Sequence, residues 1–274
     1  MLAERFQALN PDAEDALVEI KQGTAPTGDS YHCQRGGGQG HLDNKATFEK
    51  AANLASAAQL TEVEQSQAAR QVMLASTKTV DIEIALPDLQ QLKASNYKLC
   101  FAKKVAEGEY NVVWQSYLDY LAFNKFSWTP QYQLFGSNIF QSNVEVRVAT
   151  NLVDIGLGEE STLNEFGILS APSTGGPATS VNMNNEFGSI HPGVNQLSTG
   201  IHGEQISTPI YVAPSAAVKG HINLTPVEKV LVWFEQNIQT GAMFSSARSL
   251  SIEIDLTGQN SATRLYENQG WVTP

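Results

Sequence analysis

The sequence predicts a mainly β protein: an antiparallel β-sandwich, jelly-roll-like or an open barrel, preceded by an N-terminal helical segment. Three observations carry this. From Thr79 onward the apolar residues recur with a period of two, as half-buried strands require. The apolar runs are short and separated by Gly, Pro and Asn, without interludes of helix length, which favours a sandwich over a βαβ fold. Before Ser76 the period is helical, so the boundary falls between a helical segment at 1–76, with a Gly-rich linker at 24–40, and a β-sandwich domain at 77–274.

In the first segment Leu2, Phe6 and Leu9 have helical spacing. Asn10 is placed to cap a second helix with Pro11 at its first position, and Asp12, Glu14 and Asp15 suit the positive end of its dipole. Gly23 ends it. The run TAPTGDSYHCQRGGGQG, Thr24 to Gly40, is rich in Gly and small polar residues and reads as a linker. An Ala-rich stretch follows, and Thr61-Glu62-Val63-Glu64 matches a capping box, so helices are expected near 44–59 and 62–75.

The strands begin with Thr79-Val80-Asp81-Ile82-Glu83-Ile84-Ala85-Leu86, which Pro87 is expected to stop. Tyr97 to Val105 and Tyr110 to Ser116 form a hairpin across Glu107-Gly108. Further strands are expected at Gln131–Phe135, Val144–Asn151, Thr208–Ala213, Val230–Gln236, Ser249–Leu256 and Thr263–Tyr266. Val230 to Gln236 is apolar on both faces and so reads as a central strand. Gly156 to His202 reads as loop-rich.

A core drawn from 274 residues, 42% of them hydrophobic, needs no disulfide or metal to hold it. With only two cysteines there is no disulfide framework; Cys100 lies in an apolar run, whereas Cys33 lies in the polar linker. The formal charge of −11 is concentrated: no Lys or Arg falls between Arg147 and Lys219, while Asp154, Glu159, Glu160, Glu165, Glu186 and Glu204 do. This disfavours nucleic acid and anionic membrane as partners. The acidic stretch offers oxygen ligands to a cation such as Ca2+, but solubility explains it more simply, and no cofactor is expected. The first twenty residues lack a basic n-region and an apolar core, and no apolar run reaches spanning length. The expectation is a cytoplasmic or non-classically secreted chain.

Several patterns touch on chemistry. Ser249-Leu250-Ser251-Ile252-Glu253-Ile254-Asp255-Leu256-Thr257-Gly258 places Glu253 and Asp255 on one strand face. Glu253 to Gly258 is similar to the E-x-D-x-x-E strand of laminarinase-type jelly-roll glycosidases, and the resemblance implies a nucleophile at Glu253 and a helper at Asp255. The position of the acid holds Gly258, so Glu235, at the end of the neighbouring strand, is the remaining candidate for it. The competing reading is a wet strand face, because Asp81 and Glu83 repeat the pattern. The Gly-rich loop Gln34 to His41 lacks the Lys-Ser/Thr and preceding strand of a phosphate cradle. His32, Cys33 and His41 fall one ligand short of a structural zinc site. Gly28-Asp29-Ser30 lacks the strand that a hydrolase nucleophile follows. His191, His202 and Glu204 are weak metal candidates in loops.

Aromatic rings among amides and hydroxyls suit a neutral sugar: the ring stacks on its apolar face and the polar groups bond its hydroxyls. Trp114 and Trp233 read as core. Trp128, Tyr132, Asn182, Asn184, Asn195 and Trp271 are the candidate contacts. The leading expectation is a non-enzymatic, lectin-like recognition protein for a neutral glycan or a membrane-surface receptor, a class that includes toxins, defence proteins and pore formers. A carbohydrate-active hydrolase using Glu235, Glu253 and Asp255 is the first alternative. A structural protein whose helical arm binds a neighbour, forming homo-oligomers, is the second.

Overall fold

The structure, a computed structural model, describes residues 77–105, 109–246, 248 and 250–274. The helices and linker expected at 1–76, with Gly28, His32, Cys33 and His41, lie outside the described residues, as does the Glu107-Gly108 turn.

In chain order the elements are β1 (Lys78–Ile84), α1 (Leu86–Ala94), β2 (Lys98–Val105), β3 (Gln115–Tyr117), β4 (Phe123–Ser137), β5 (Val153–Ile155), β6 (Glu159–Leu163) and β7 (Ser173–Thr174). There follow β8 (Val181–Asn185), β9 (His191–Thr199), β10 (Gln205–Val212), β11 (Gly220–Leu224), β12 (Pro226–Glu235), β13 (Ile252–Asp255), β14 (Ser261–Glu267) and β15 (Gly270–Val272). The fold is mainly β, as the period of two predicts, and no described helix is long and apolar enough to cross a membrane.

The largest sheet runs β10-β9-β4-β1-β14-β15, with β5 also paired to β4. A second runs β13-β12-β2-β3 and a third β11-β8-β6-β7. Pairing is antiparallel except at β1/β14 and β6/β8. The first two sheets form the sandwich. Val80, Ile82 and Ile84 of β1 and Phe126 and Trp128 of β4 face Leu99 and Phe101 of β2 and Val230 and Val232 of β12 in one core. At its centre Phe101 stacks on Phe126 with centroids 4.3 Å apart, and the Trp114 ring stands edge-on to Phe126 at 5.0 Å. Burying each such ring contributes about 1.5–3 kcal/mol.

The strand at β12 is central, as its two apolar faces require. The outer face of this sheet, with Cys100 and Ala102 of β2 and Trp233 of β12, is covered by Val113, Ile238, Ala242 and Phe244. Burial pushes the Cys100 thiol far above its usual range, which makes it inert.

Four segments depart from the sequence reading. Pro87 ends β1 but also starts α1: it occupies the first turn, where its missing N–H is not needed, with Asp88 at the positive end and Lys93 at the negative end. The expected hairpin exists, with Leu99 opposite Tyr117, but its second strand is three residues long. Val112 and Val113 instead pair with Met243 and Ala242, where Val113 closes over the outer face of β2 and Val112 packs with Phe135, Val212 and Met243. Val144 to Asn151 is not a strand; it bridges to Ala242 at Glu145 and then runs irregularly. Gly156 to His202, expected to be loop-rich, contains β6, β7, β8 and β9. Its buried Asn side chains replace apolar packing with hydrogen bonds: Asn185 Nδ2 donates to Gly188 O and Val218 O, while its Oδ1 accepts from Phe187 N and Gly188 N.

Pro130 lies within β4, where an uninterrupted strand would lose a bond to its missing N–H. The β4/β9 register breaks there, between Trp128 and Tyr132, and Gln196 Nε2 donates to Thr129 O across the break. Farther along the same pair, Gly193 sits opposite Phe135, whose ring lies 2.3 Å from where a Cβ on Gly193 would stand. Phe135 is fully buried, so its ring cannot swing aside. Gly193→Ala should therefore destabilise by about 1–3 kcal/mol in chemical denaturation. Adding Phe135→Leu should restore part of that loss.

Candidate functional site

The outward face of the largest sheet is set by the alternation of β1. With Val80, Ile82 and Ile84 directed inward, Thr79, Asp81 and Glu83 must point outward. Pairing then fixes their neighbours, because residues opposite each other share a face. Glu83 lies between Phe123 and Leu265, Asp81 between Lys125 and Thr263, and Thr79 between Ser127 and Ser261. A shallow groove of about 270 Å³ lies here, lined by Asp81, Glu83, Phe123, Asn124, Lys125 and Thr263 with the backbone at Ile82.

Phe123 is 74% exposed, so its ring is available at the end of the groove. It is held there from behind. The Asn124 side chain donates to Leu121 O and Ile82 O and accepts from Leu121 N, which fixes the turn that delivers Phe123. The groove thus combines an apolar ring, two carboxylates, an ammonium and a hydroxyl on rigid strands. That set can stack on a flat apolar surface and both donate and accept hydrogen bonds.

The sequence-predicted contacts lie elsewhere and are not brought together. Trp128, 1% exposed, is a core ring: Lys103 Nζ lies 4.5 Å from its centroid, the Trp114 ring stands 5.6 Å away, and its Nε1 donates to Glu228 Oε2 at 2.8 Å. Its faces are occupied and cannot stack on a ligand. Tyr132 and Asn195 are also buried, the latter donating to Gln133 Oε1. Asn182 is buried, donating to Glu159 O and Ser180 O, and half-buried Asn184 donates to Glu186 Oε1. Trp271 is half-buried, stacked on Phe234 with centroids 5.6 Å apart, and its Nε1 donates to Leu250 O.

The strand carboxylates form a charge ladder. Lys229 lies opposite Asp255 and contacts both Asp255 (3.2 Å) and Glu253 (3.4 Å), while Glu253 also accepts from Tyr110 OH at 2.9 Å. Bonds from Thr257, then Lys229, hold the Asp255 carboxyl down at about 2. Glu253 is opposite Leu231, so Glu235, four residues further along β12, is about 13 Å away along the strand. Carboxyls of a glycosidase stand about 5–9.5 Å apart. Glu235 is itself held by Arg248 at 3.0 Å and accepts from Trp233 Nε1 at 2.7 Å.

The metal candidates are separated too. His191 starts β9, with Nδ1 2.7 Å from Ala213 O, and His202 follows its far end, roughly 30 Å of extended strand away. Glu204 is taken up in a latch. Tyr117 OH and His202 N donate to its two oxygens, and His202 Nε2 lies 3.0 Å from Asp119 Oδ1, which holds the Asp119 carboxyl below its usual range. Among the described residues, no three His, Cys, Asp or Glu side chains converge as metal ligands.

The groove's own residues were half visible in the sequence. TVDIEIAL announces the outward carboxylates, but the parity of β4 is hidden, because Phe123 and Phe126 place a ring on each face. No family model, curated protein or solved structure matches the chain.

Proposed function

We propose that this domain is a recognition module for a neutral glycan, bound on the outward face of β1, β4 and β14, and that it binds without transforming its ligand. The observation that carries the reading is the exposed Phe123 ring in a groove with Asp81, Glu83, Lys125 and Thr263. The phenyl face stacks on the apolar side of a sugar ring. The carboxylates accept from its hydroxyls, while Lys125 and Thr263 donate to them. At about 270 Å³ the groove is just below the range of drug-sized sites, which suits one or two sugar rings of a surface-displayed chain and modest affinity.

The test is glycan-array binding followed by titration calorimetry. Phe123→Ala is expected to weaken binding at least about tenfold, equivalent to ~1.4 kcal/mol. Its melting temperature should stay within a degree or two of the parent, because the ring is already in water. Binding of a neutral glycan that survives Phe123→Ala and Asp81→Ala together would sink the assignment to this face. Reducing-sugar release would overturn the non-enzymatic part.

A further inference from the structure

We propose that the open edge of β11 is a docking site for an extended, basic segment of a partner protein, which adds to the third sheet as a further strand. Among the described residues this edge is unguarded where the others are protected. An exposed strand edge invites pairing, and folds blunt it with shortness, charge, proline or a bulge. β10 carries Pro209 and a register break; β3, β7 and β15 have three residues or fewer; β13 presents Glu253 and Asp255. β11, Gly220-His221-Ile222-Asn223-Leu224, pairs with β8 in unbroken register and contains no proline and no Asp, Glu, Lys or Arg.

The backbone groups that would bind the added strand can be named. Glu186 N donates to Leu163 O and Gly158 N to Ser180 O, so the even-numbered residues of this stretch direct their backbone toward β6. The odd residues of β8 therefore bond β11, and they lie opposite Gly220, Ile222 and Leu224. His221 and Asn223 consequently direct their N–H and C=O groups outward, and both side chains are exposed.

The surroundings specify the partner. At the start of the edge Val218 is 75% exposed, with its carbonyl held by Asn185 Nδ2; Asn185 Oδ1 also accepts from Phe187 N, and Phe187, 41% exposed, packs on Gly167. Glu165 and Glu186 lie in turns of the same sheet and Glu160 lies in β6, where it holds His221 Nδ1 at 2.9 Å; all three fall in the stretch from 148 to 218 that has no Lys or Arg, and Lys219 follows it just before the edge. Main-chain pairing supplies affinity, an apolar partner residue covers Val218, and partner lysines or arginines meet the carboxylates. A second copy would bring its own carboxylates against these, an unfavourable like-charge arrangement.

The experiment uses the full chain and the fluorescently labelled peptide KTVKVTK, read by anisotropy. A control of equal charge has proline in place of both threonines. The expected result is binding of the first peptide, weakened by salt, and at least about tenfold weaker binding of the control. Asn223→Pro should reduce binding by a similar factor with unchanged circular dichroism and melting temperature, because the lost N–H does not bond β8. Should that variant fail to fold, amide exchange on the parent decides: the His221 and Asn223 amides are expected to slow on peptide addition. Equal binding of the two peptides, unchanged binding by Asn223→Pro, or no slowing of those amides overturns the proposal. So does a concentration-dependent dimer that Asn223→Pro abolishes, or binding to phosphatidylcholine vesicles that Val218→Asp abolishes. These residues lie outside the groove of Phe123, so failure here leaves the glycan reading untouched.

Discussion

Glu228→Ala is expected to destabilise the protein by about 3–5 kcal/mol at pH 7, because it strands a buried ammonium. The Lys103 side chain is fully buried between the sheets, with Nζ 2.7 Å from Glu228 Oε2 and 4.5 Å from the Trp128 centroid. Removing the carboxylate also leaves Trp128 Nε1 without its acceptor. Lys103→Met, which keeps the stem and removes the charge, should cost little or stabilise, since Glu228 still reaches solvent. Denaturant titration of the two single variants checks the asymmetry.

The same site gives a pH signature. Burial lowers the Lys103 amine from its usual 10.5 to about 8, against the opposing pull of Glu228. Between those values the unfolded chain holds a proton that the folded chain has released, so stability rises with pH across that window, by up to about 3 kcal/mol. In Lys103→Met that rise should be absent, and the penalty of Glu228→Ala should shrink toward pH 10, where the amine is neutral. Above pH 10 the trend reverses. Burial raises the phenols of Tyr110, Tyr117, Tyr120 and Tyr132, so the unfolded chain ionises first and stability falls. A parent stability that stays flat between pH 8 and 10 while matching that of Lys103→Met would refute the assignment.

Asp88→Ala is the second large effect, expected at about 2–4 kcal/mol. The Asp88 carboxylate is 7% exposed and accepts from Asn268 N and Gln269 N, each at 3.0 Å, tying α1 to the turn between β14 and β15. Both turn residues have positive φ, 51° and 61°, a conformation that non-glycine residues hold only when something fixes it. Asp88→Asn keeps one acceptor and should lose about half as much. Hydrogen exchange should show the 268–272 backbone opening in Asp88→Ala before the rest of the sheet does.

Much of the strand framework was legible from local pattern. TVDIEIAL, the doubly apolar VLVWF and the alternation in SIEIDL became β1, β12 and β13, because a period of two leaves few ways to bury the apolar set. The helix after Pro87 was legible as well, in its proline, Asp88 and Lys93, but the proline reads equally as a strand stop. The strands between Gly156 and His202 were hidden because Asn182 and Asn185 are buried by hydrogen bonding to main-chain carbonyls, and no apolar period reports that.

The sequence by itself determined the class of fold, the two wet carboxylate faces and the acidic stretch without Lys or Arg, all consequences of composition and alternation. The tertiary structure alone decided which ring faces water. Trp128 and Phe123 belong to one strand, five residues apart and so of opposite parity. Only the pairing of β4 with β1 and its packing against β2 sends the tryptophan into the core and the phenylalanine to the surface. Likewise Lys229 could neutralise Glu253 and Asp255 only once β12 and β13 were in register. Parity and register are properties of neighbours, and a single strand carries no record of either.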